Sequence, residues 1–369
     1  MRERVLHVLK KEPVLCVAAV AALVSCCFVP PDGAYVAYID WRTLALLYGL
    51  MVVVAGLRKA GVFDVLGRLL CAKAANGRQL GLVLTLLCFF SAMLITNDVA
   101  LLTFVPFTVL VMGGKEQRRL LLLTVVLETV AANLGSMLTP VGNPQNLYIY
   151  SHYAMGFGEF MACTLPLCAL SLLLTALCCL ALPKQPVERP VLCGGGVEKK
   201  TLGISAVLFA LCLLVVLHVL PWQLVLPVLV VALLVFDRGL LLKADFLLLL
   251  TFVCFFVFVG NVGRLEQVKS AIAGVVQGRE VLVGALSSQV ISNVPAAVLL
   301  AGFTDNARGL LQGVNIGGLG TPIASLASLI SMKLYSQSEG AETGRYLAVF
   351  SLVNFALLIL LLLAAWVMG

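Results

Sequence analysis

Apolar residues run along this chain in long uninterrupted blocks, and polar residues are confined to short segments between them. Blocks of that kind predict membrane-spanning helices, because about 20 apolar residues cross a hydrocarbon core of about 30 Å. Pro13 to Pro30 is the first, read as a retained helix since no small-residue cleavage site follows it, and Thr43 to Leu57 is the second. Gly61 to Ala72 reads instead as an amphipathic helix lying on the membrane surface. Leu80 to Ile95 and Val99 to Met112, 16 and 14 residues long, are separated only by the polar triplet Thr96-Asn97-Asp98. At about 1.5 Å per residue these arms reach roughly 24 and 21 Å, short of the core. They form either two spans with a very short turn or, the reading favoured by that shortfall, a re-entrant hairpin whose polar tip lies inside the membrane.

The next block is interrupted in the middle. Asn133 to Asn146 reads N-L-G-S-M-L-T-P-V-G-N-P-Q-N, which sets Gly, Pro and Asn inside an apolar crossing. Proline removes a backbone donor, and peptide groups freed at that depth must find protein, water or an ion. A second copy, N-I-G-G-L-G-T-P-I-A-S-L-A-S, begins at Asn315, 182 positions on (133 to 315), with Asn, Gly, Thr and Pro at the same four of its first eight places. A second hairpin precedes it, Val281 to Phe303, with the tip Ser292-Asn293-Val294-Pro295. Paired Gly/Pro-interrupted segments at matching places in two halves mark the binding site of a secondary transporter.

Basic clusters set the orientation. Arg2, Arg4, Lys10 and Lys11 hold the N-terminus in the cytoplasm, and Arg58, Lys59, Arg68, Lys73 and Arg78, then Lys115, Arg118 and Arg119, return to that side. The first hairpin therefore enters and leaves from the cytoplasm, whereas the second, flanked by Arg279 and Arg308, enters from outside. The predicted fold is an all-α polytopic membrane protein, an inverted-repeat transporter with two re-entrant hairpins and two broken transmembrane helices. Its parts are an N-terminal repeat (1–182, with hairpin 80–112 and broken helix 120–150), a Pro- and Gly-rich cytoplasmic linker (183–201), an extra helix (202–220) and an inverted C-terminal repeat (221–369, with hairpin 281–303 and broken helix 310–335).

Composition agrees. A chain that is 61% hydrophobic and 12% charged, with a mean hydropathy of +1.07, has too much apolar surface for one soluble core. The excess of 25 Lys and Arg over 18 acids falls in short clusters that topology explains, so no nucleic-acid partner is expected. The twelve cysteines form no C-x-x-C pair, and most lie inside apolar blocks as packing residues. The three histidines, His7, His152 and His218, are scattered. No H-E-x-x-H, G-x-S-x-G or paired-Asp arrangement is present, so no catalytic residue, cofactor or enzymatic role is expected.

The chemistry expected at the four interruptions is ion binding. Helix N-termini favour anions, and unwound carbonyls and C-terminal ends favour cations, so one site can hold an anion beside its coupling ion. Thr96, Asn97, Thr139, Pro140, Gly142, Asn143 and Asn146 in the first half, with Ser292, Asn293, Val294, Thr321, Pro322 and Ser325 in the second, are the candidate binding residues. Asn97, Asp98 and Asn293 are the candidates for holding Na+. Asp98 and Glu128 are the carboxyl groups inside apolar blocks and so the candidates for carrying a proton or ion. The alternative for the neutral residues is that they satisfy one another between packed helices.

With T-P-V-G-N-P-Q-N from Thr139, S-N-V at Ser292 and T-N-D-V-A-L-L-T-F-V-P-F from Thr96, nearly the whole chain resembles the ion transporter superfamily. That superfamily includes divalent anion:sodium symporters, citrate transporters, NhaD-type sodium/proton antiporters and arsenite efflux permeases. The Ser292 tip and the Thr139 stretch are similar to the symporters; the Thr96 tip is closer to the arsenite and sodium/proton members. Asp98 and Val294 stand where a symporter would have Thr. The resemblance implies a homodimer in the cell (inner) membrane, in which hairpins and broken helices form a transport domain that moves against a scaffold as an elevator. It implies transport of a small anion, a di- or tricarboxylate, coupled to Na+ or H+. A Na+/H+ antiporter or arsenite-type permease is the alternative, and an ion channel a distant one.

Overall fold

The computed structural model describes residues 13–71, 74–112, 117–186 and 196–368. The basic N-terminal cluster Arg2, Arg4, Lys10 and Lys11, together with Lys73, Lys115 and the centre of the linker, lies outside them. Every regular element among the described residues is a helix, and seven helices are long and apolar enough to cross a membrane.

The chain opens with α1 (Pro13–Phe28), α2 (Trp41–Lys59) and the short α3 (Val62–Cys71). Two helices joined at Thr96 follow, α4 (Gly77–Ile95) and α5 (Asn97–Met112), then α6 (Arg118–Gly135). After an irregular stretch the chain resumes as α7 (Pro144–His152) and α8 (Phe157–Cys179). The part beyond the linker holds α9 (Lys199–Val216), α10 (Trp222–Phe236), a 3-10 segment (Arg238–Lys243), α11 (Phe246–Gly263) and α12 (Glu266–Val276). It ends with α13 (Glu280–Ile291) and α14 (Asn293–Ala301) meeting at Ser292, α15 (Ala307–Ile316), α16 (Leu326–Ser336) and α17 (Thr343–Met368).

Local chemistry explains several of these ends. Asp40 caps α2 by accepting from Thr43 N at 2.9 Å, and Asp245 caps α11 by accepting from Leu248 N at the same 2.9 Å. Asn76 caps α4 through Gln79 N at 3.1 Å, which brings a polar first turn into the helix. At 19 residues α4 is longer than its apolar run and by itself long enough to cross. The apolar blocks do not predict the amphipathic α12, because Glu266 and Lys269 interleave with its apolar positions and break the block. It follows α11 as α3 follows α2.

Two apolar cores hold the helices together. One gathers α4, α5 and α6 with α16 and α17; the other gathers α2, α7, α9, α10 and α11 with α14 and α15. The halves therefore exchange partners: α5 of the first packs on α16 of the second, and α14 of the second packs on α7 of the first. Helix α6 is the centre of the arrangement, with 94% of its span buried, whereas α9 and α17 are each only 28% buried and leave broad apolar faces outward. Outside the bundle Arg264 donates to Asp32 at 2.7 Å, and that hydrogen bond holds the Asp32 carboxyl below its usual range.

Candidate functional site

The two helix junctions have the same backbone. Thr96 has φ +71° and ψ +150°, and Ser292 has φ +71° and ψ +153°, a region that side chains other than glycine rarely enter. Each junction leans on the interrupted stretch of its own half. Asn97 N donates to Gly142 O at 3.2 Å, and the Thr139 hydroxyl donates to Met93 O. In the second half the Thr321 hydroxyl donates to Gln289 O at 3.1 Å, and Ser292 Oγ to Ala324 O at 3.4 Å.

Peptide groups freed by the interruptions are met by side-chain amides. Asn146 Nδ2 donates to the carbonyls of Ser136, Met137 and Thr139 at 3.2, 3.1 and 3.0 Å. Gln289 does the same in the second half, with Nε2 donating to Gly317 O and Leu319 O at 2.9 Å each, while its Oε1 accepts from Thr321 N at 2.9 Å. These bonds replace the helical ladder with partners that need no water.

Two asparagines tie the halves to each other. Asn133 Oδ1 accepts from Asn97 Nδ2 at 3.1 Å and from Ser325 Oγ at 2.9 Å, and its amide donates to Ser328 Oγ at 3.1 Å. Asn315 Oδ1 accepts from Asn143 Nδ2 at 3.1 Å, and its amide donates to Asn146 Oδ1 at 2.6 Å. Asn133 and Asn315 thus occupy matching places, and each bonds residues at the eleventh and fourteenth places of the other stretch. All seven of these polar residues are buried.

A cavity of about 780 Å³ opens beside the first junction. Thr96, Asp98, Asn143 and Pro144 form its inner polar wall, with Leu47, Leu50 and Leu147 as apolar neighbours. Exposed Arg58, Lys59, Lys243 and Asp245 stand at its rim. The first turns of α5 and α7 both reach this wall, at Asp98 and at Pro144 behind its cap Asn143.

The candidate residues thus divide. Thr96 and Asp98 face the cavity; Asn143 lines it but, like Asn97, Asn146 and Ser325, is bonded into the buried network. Pro140 and Gly142 are buried at the first interruption, and Gly142 lies so close to the Ser136 backbone that a Cβ there would collide. Ser292, Asn293, Val294, Thr321 and Pro322 gather around the second junction and are not part of the cavity wall. Glu128, fully buried on α6, accepts from Thr108 Oγ1 at 2.6 Å, and its other oxygen has no partner among the described residues. Sequence reasoning passed over Asn133, Asn315 and Gln289. The first two were signalled by heading the two copies, while nothing in its neighbourhood singled out Gln289.

The model of the citrate transporter family matches residues 5–312. An uncharacterized transporter of Methanocaldococcus jannaschii is 33% identical over 331 residues, covering 88% of each chain. The Escherichia coli inner membrane protein YbiR is 34% identical over 320 residues, covering 83% of each. A silicon efflux transporter of rice, Oryza sativa, is 37% identical over 135 residues, 37% of this chain and 27% of that one. With a helical, membrane-embedded fold and a family match across most of its length, this chain is a membrane transport protein that belongs to the citrate transporter family.

Proposed function

We propose that the protein is a secondary active transporter that moves a small anion, a di- or tricarboxylate, coupled to Na+ or H+. The observation that carries this reading is the convergence of two helix N-termini, those of α5 and α7, on one cavity whose rim holds three basic residues, Arg58, Lys59 and Lys243, against one acid, Asp245. Helix N-termini and cations both favour negative charge in the solute. Asp98, on the same wall, is the group that binds Na+ or exchanges H+, so that cation and anion occupy one space.

The matched backbones at Thr96 and Ser292 and the reciprocal bonds of Asn133 and Asn315 support an inverted repeat with two re-entrant hairpins. With Arg58 and Lys243 on the cytoplasmic side, the cavity is the inward-open half of an alternating cycle. In a homodimer, hairpins and interrupted helices would cross as one body against α2, α9, α10 and α11. The coupling ion orders the first junction, so that the unloaded body does not cross.

Purified protein in proteoliposomes tests the reading. Labelled citrate or another dicarboxylate is expected to accumulate under an imposed Na+ or pH gradient, and Asp98→Asn is expected to remove the dependence on that gradient. Uptake of no anion under either gradient would refute it. A second reading, efflux of a weak oxyacid such as arsenite or silicic acid, is favoured by the segment shared with the rice silicon efflux transporter. Its mark would be movement of arsenite against its gradient with no response to carboxylates.

A further inference from the structure

Pro106 lies inside α5 and has no N–H, so the carbonyl of Leu102, four places earlier, lacks its helical donor. The carbonyl is nevertheless satisfied. Nη2 of Arg58, in the last turn of α2, donates to it at 2.8 Å. Arg58, Leu102 and Pro106 all line the cavity, so the bond joins two of its walls.

A guanidinium offers several N–H donors in one rigid plane, and Leu102 uses only one of them. Among the described residues Arg58 makes no ion pair, whereas its neighbour Lys59 is paired with Asp237 at 2.6 Å. The rim therefore holds an arginine that makes no ion pair among the described residues, although Asp98 and Asp245 line the same cavity, and that is held by a backbone acceptor a proline set free.

We infer that Arg58 is a substrate-recognition residue: anchored on the Leu102 carbonyl, it offers its remaining N–H groups to the carboxylate or other oxyanion group of a solute entering the cavity. The inference rests on the transporter reading above and adds to it the side chain that binds the anion's charge. A paired N–H fork matches a carboxylate better than a point charge does. Arg58→Lys should then bind less well than the wild type although the charge is kept, and Arg58→Gln least well. Pro106→Ala returns a competing N–H to Leu102 O, so it weakens the anchor and should weaken recognition while keeping the Arg58 side chain itself. Pro106 is here a positioning residue.

Two measurements on the full chain decide it: uptake of labelled citrate and sulfate in proteoliposomes, and the rise in melting temperature that each anion gives in detergent. Arg58→Gln is expected to raise KM roughly ten- to hundredfold and to abolish the thermal shift. Pro106→Ala is expected to raise KM roughly threefold with an unchanged maximal rate. Arsenous acid, uncharged at neutral pH, is expected to give no Arg58-dependent shift. Equal KM or equal thermal shift in wild type and Arg58→Gln overturns the assignment, as does a wild type that neither anion stabilises. A thermal shift that needs Arg58 but is accompanied by no uptake upholds the assignment and overturns the transport reading instead.

Discussion

At Thr96 the backbone enters the region around φ +71° and ψ +150°, where a β-branched side chain is least at ease, and Ser292 repeats the conformation. Residues held there cost about 1–3 kcal/mol each, and glycine would remove that cost while adding about 0.5–1 kcal/mol of chain entropy. Thr96 Oγ1 makes no hydrogen bond among the described residues, so nothing internal is lost with it. Thr96→Gly is therefore expected to raise the melting temperature by roughly 1–3 °C and to slow transport, because a wall group of the cavity is gone. A lower melting temperature would show that the junction is unstrained. The junction residues were legible from the sequence as polar breaks between apolar runs. Their division of labour was not, because which polar group faces a cavity and which satisfies a carbonyl depends on contacts such as Asn315 to Asn146, made 169 residues apart.

Helix packing rests on close approaches that a methyl group would block. A Cβ on Gly313 of α15 would meet Val281 O at 2.6 Å and Glu280 O at 2.8 Å, both backbone atoms of α13. One on Gly284 would meet the Gly313 backbone at 3.3 Å, a contact that a small shift relieves. In an exposed helix Gly→Ala stabilises by about 0.8–1 kcal/mol, so the sign of each change reports the packing. Gly313→Ala is expected to destabilise by about 1–3 kcal/mol and Gly284→Ala to stay within about 1 kcal/mol, as read by thermal unfolding in detergent. The reverse order would mean that α13 and α15 do not touch as described. Apolar run length located nearly every helix but misjudged α4, since counting from Leu80 leaves out the polar turn that Asn76 caps. Position in the order of elements, after α11 as α3 stands after α2, was the signal that could have found α12.

Across the whole molecule the two halves trade packing partners, α5 with α16 and α14 with α7, so each joined helix pair packs on helices of the other half. The proposed elevator cycle would divide the molecule along the cavity, which residues of α2 and α5 both line. Ala55 of α2 and Leu102 of α5 both line that cavity, and Leu102 O is where Arg58, three places after Ala55, makes its bond. Lys59 of α2 and Asp237, which begins the segment after α10, are in contact on the same side of the division. In a background free of the twelve native cysteines, cross-linking Ala55→Cys to Leu102→Cys with a cleavable bifunctional thiol reagent is expected to stop uptake, and cleavage to restore it. The same reagent on Lys59→Cys with Asp237→Cys is expected to leave uptake unchanged, because the proposed cycle keeps both on the same side of the division. Continued uptake across a completed Ala55–Leu102 link would mean that α5 does not slide past α2, and access to the two sides would then have to alternate through local movement of the junctions alone.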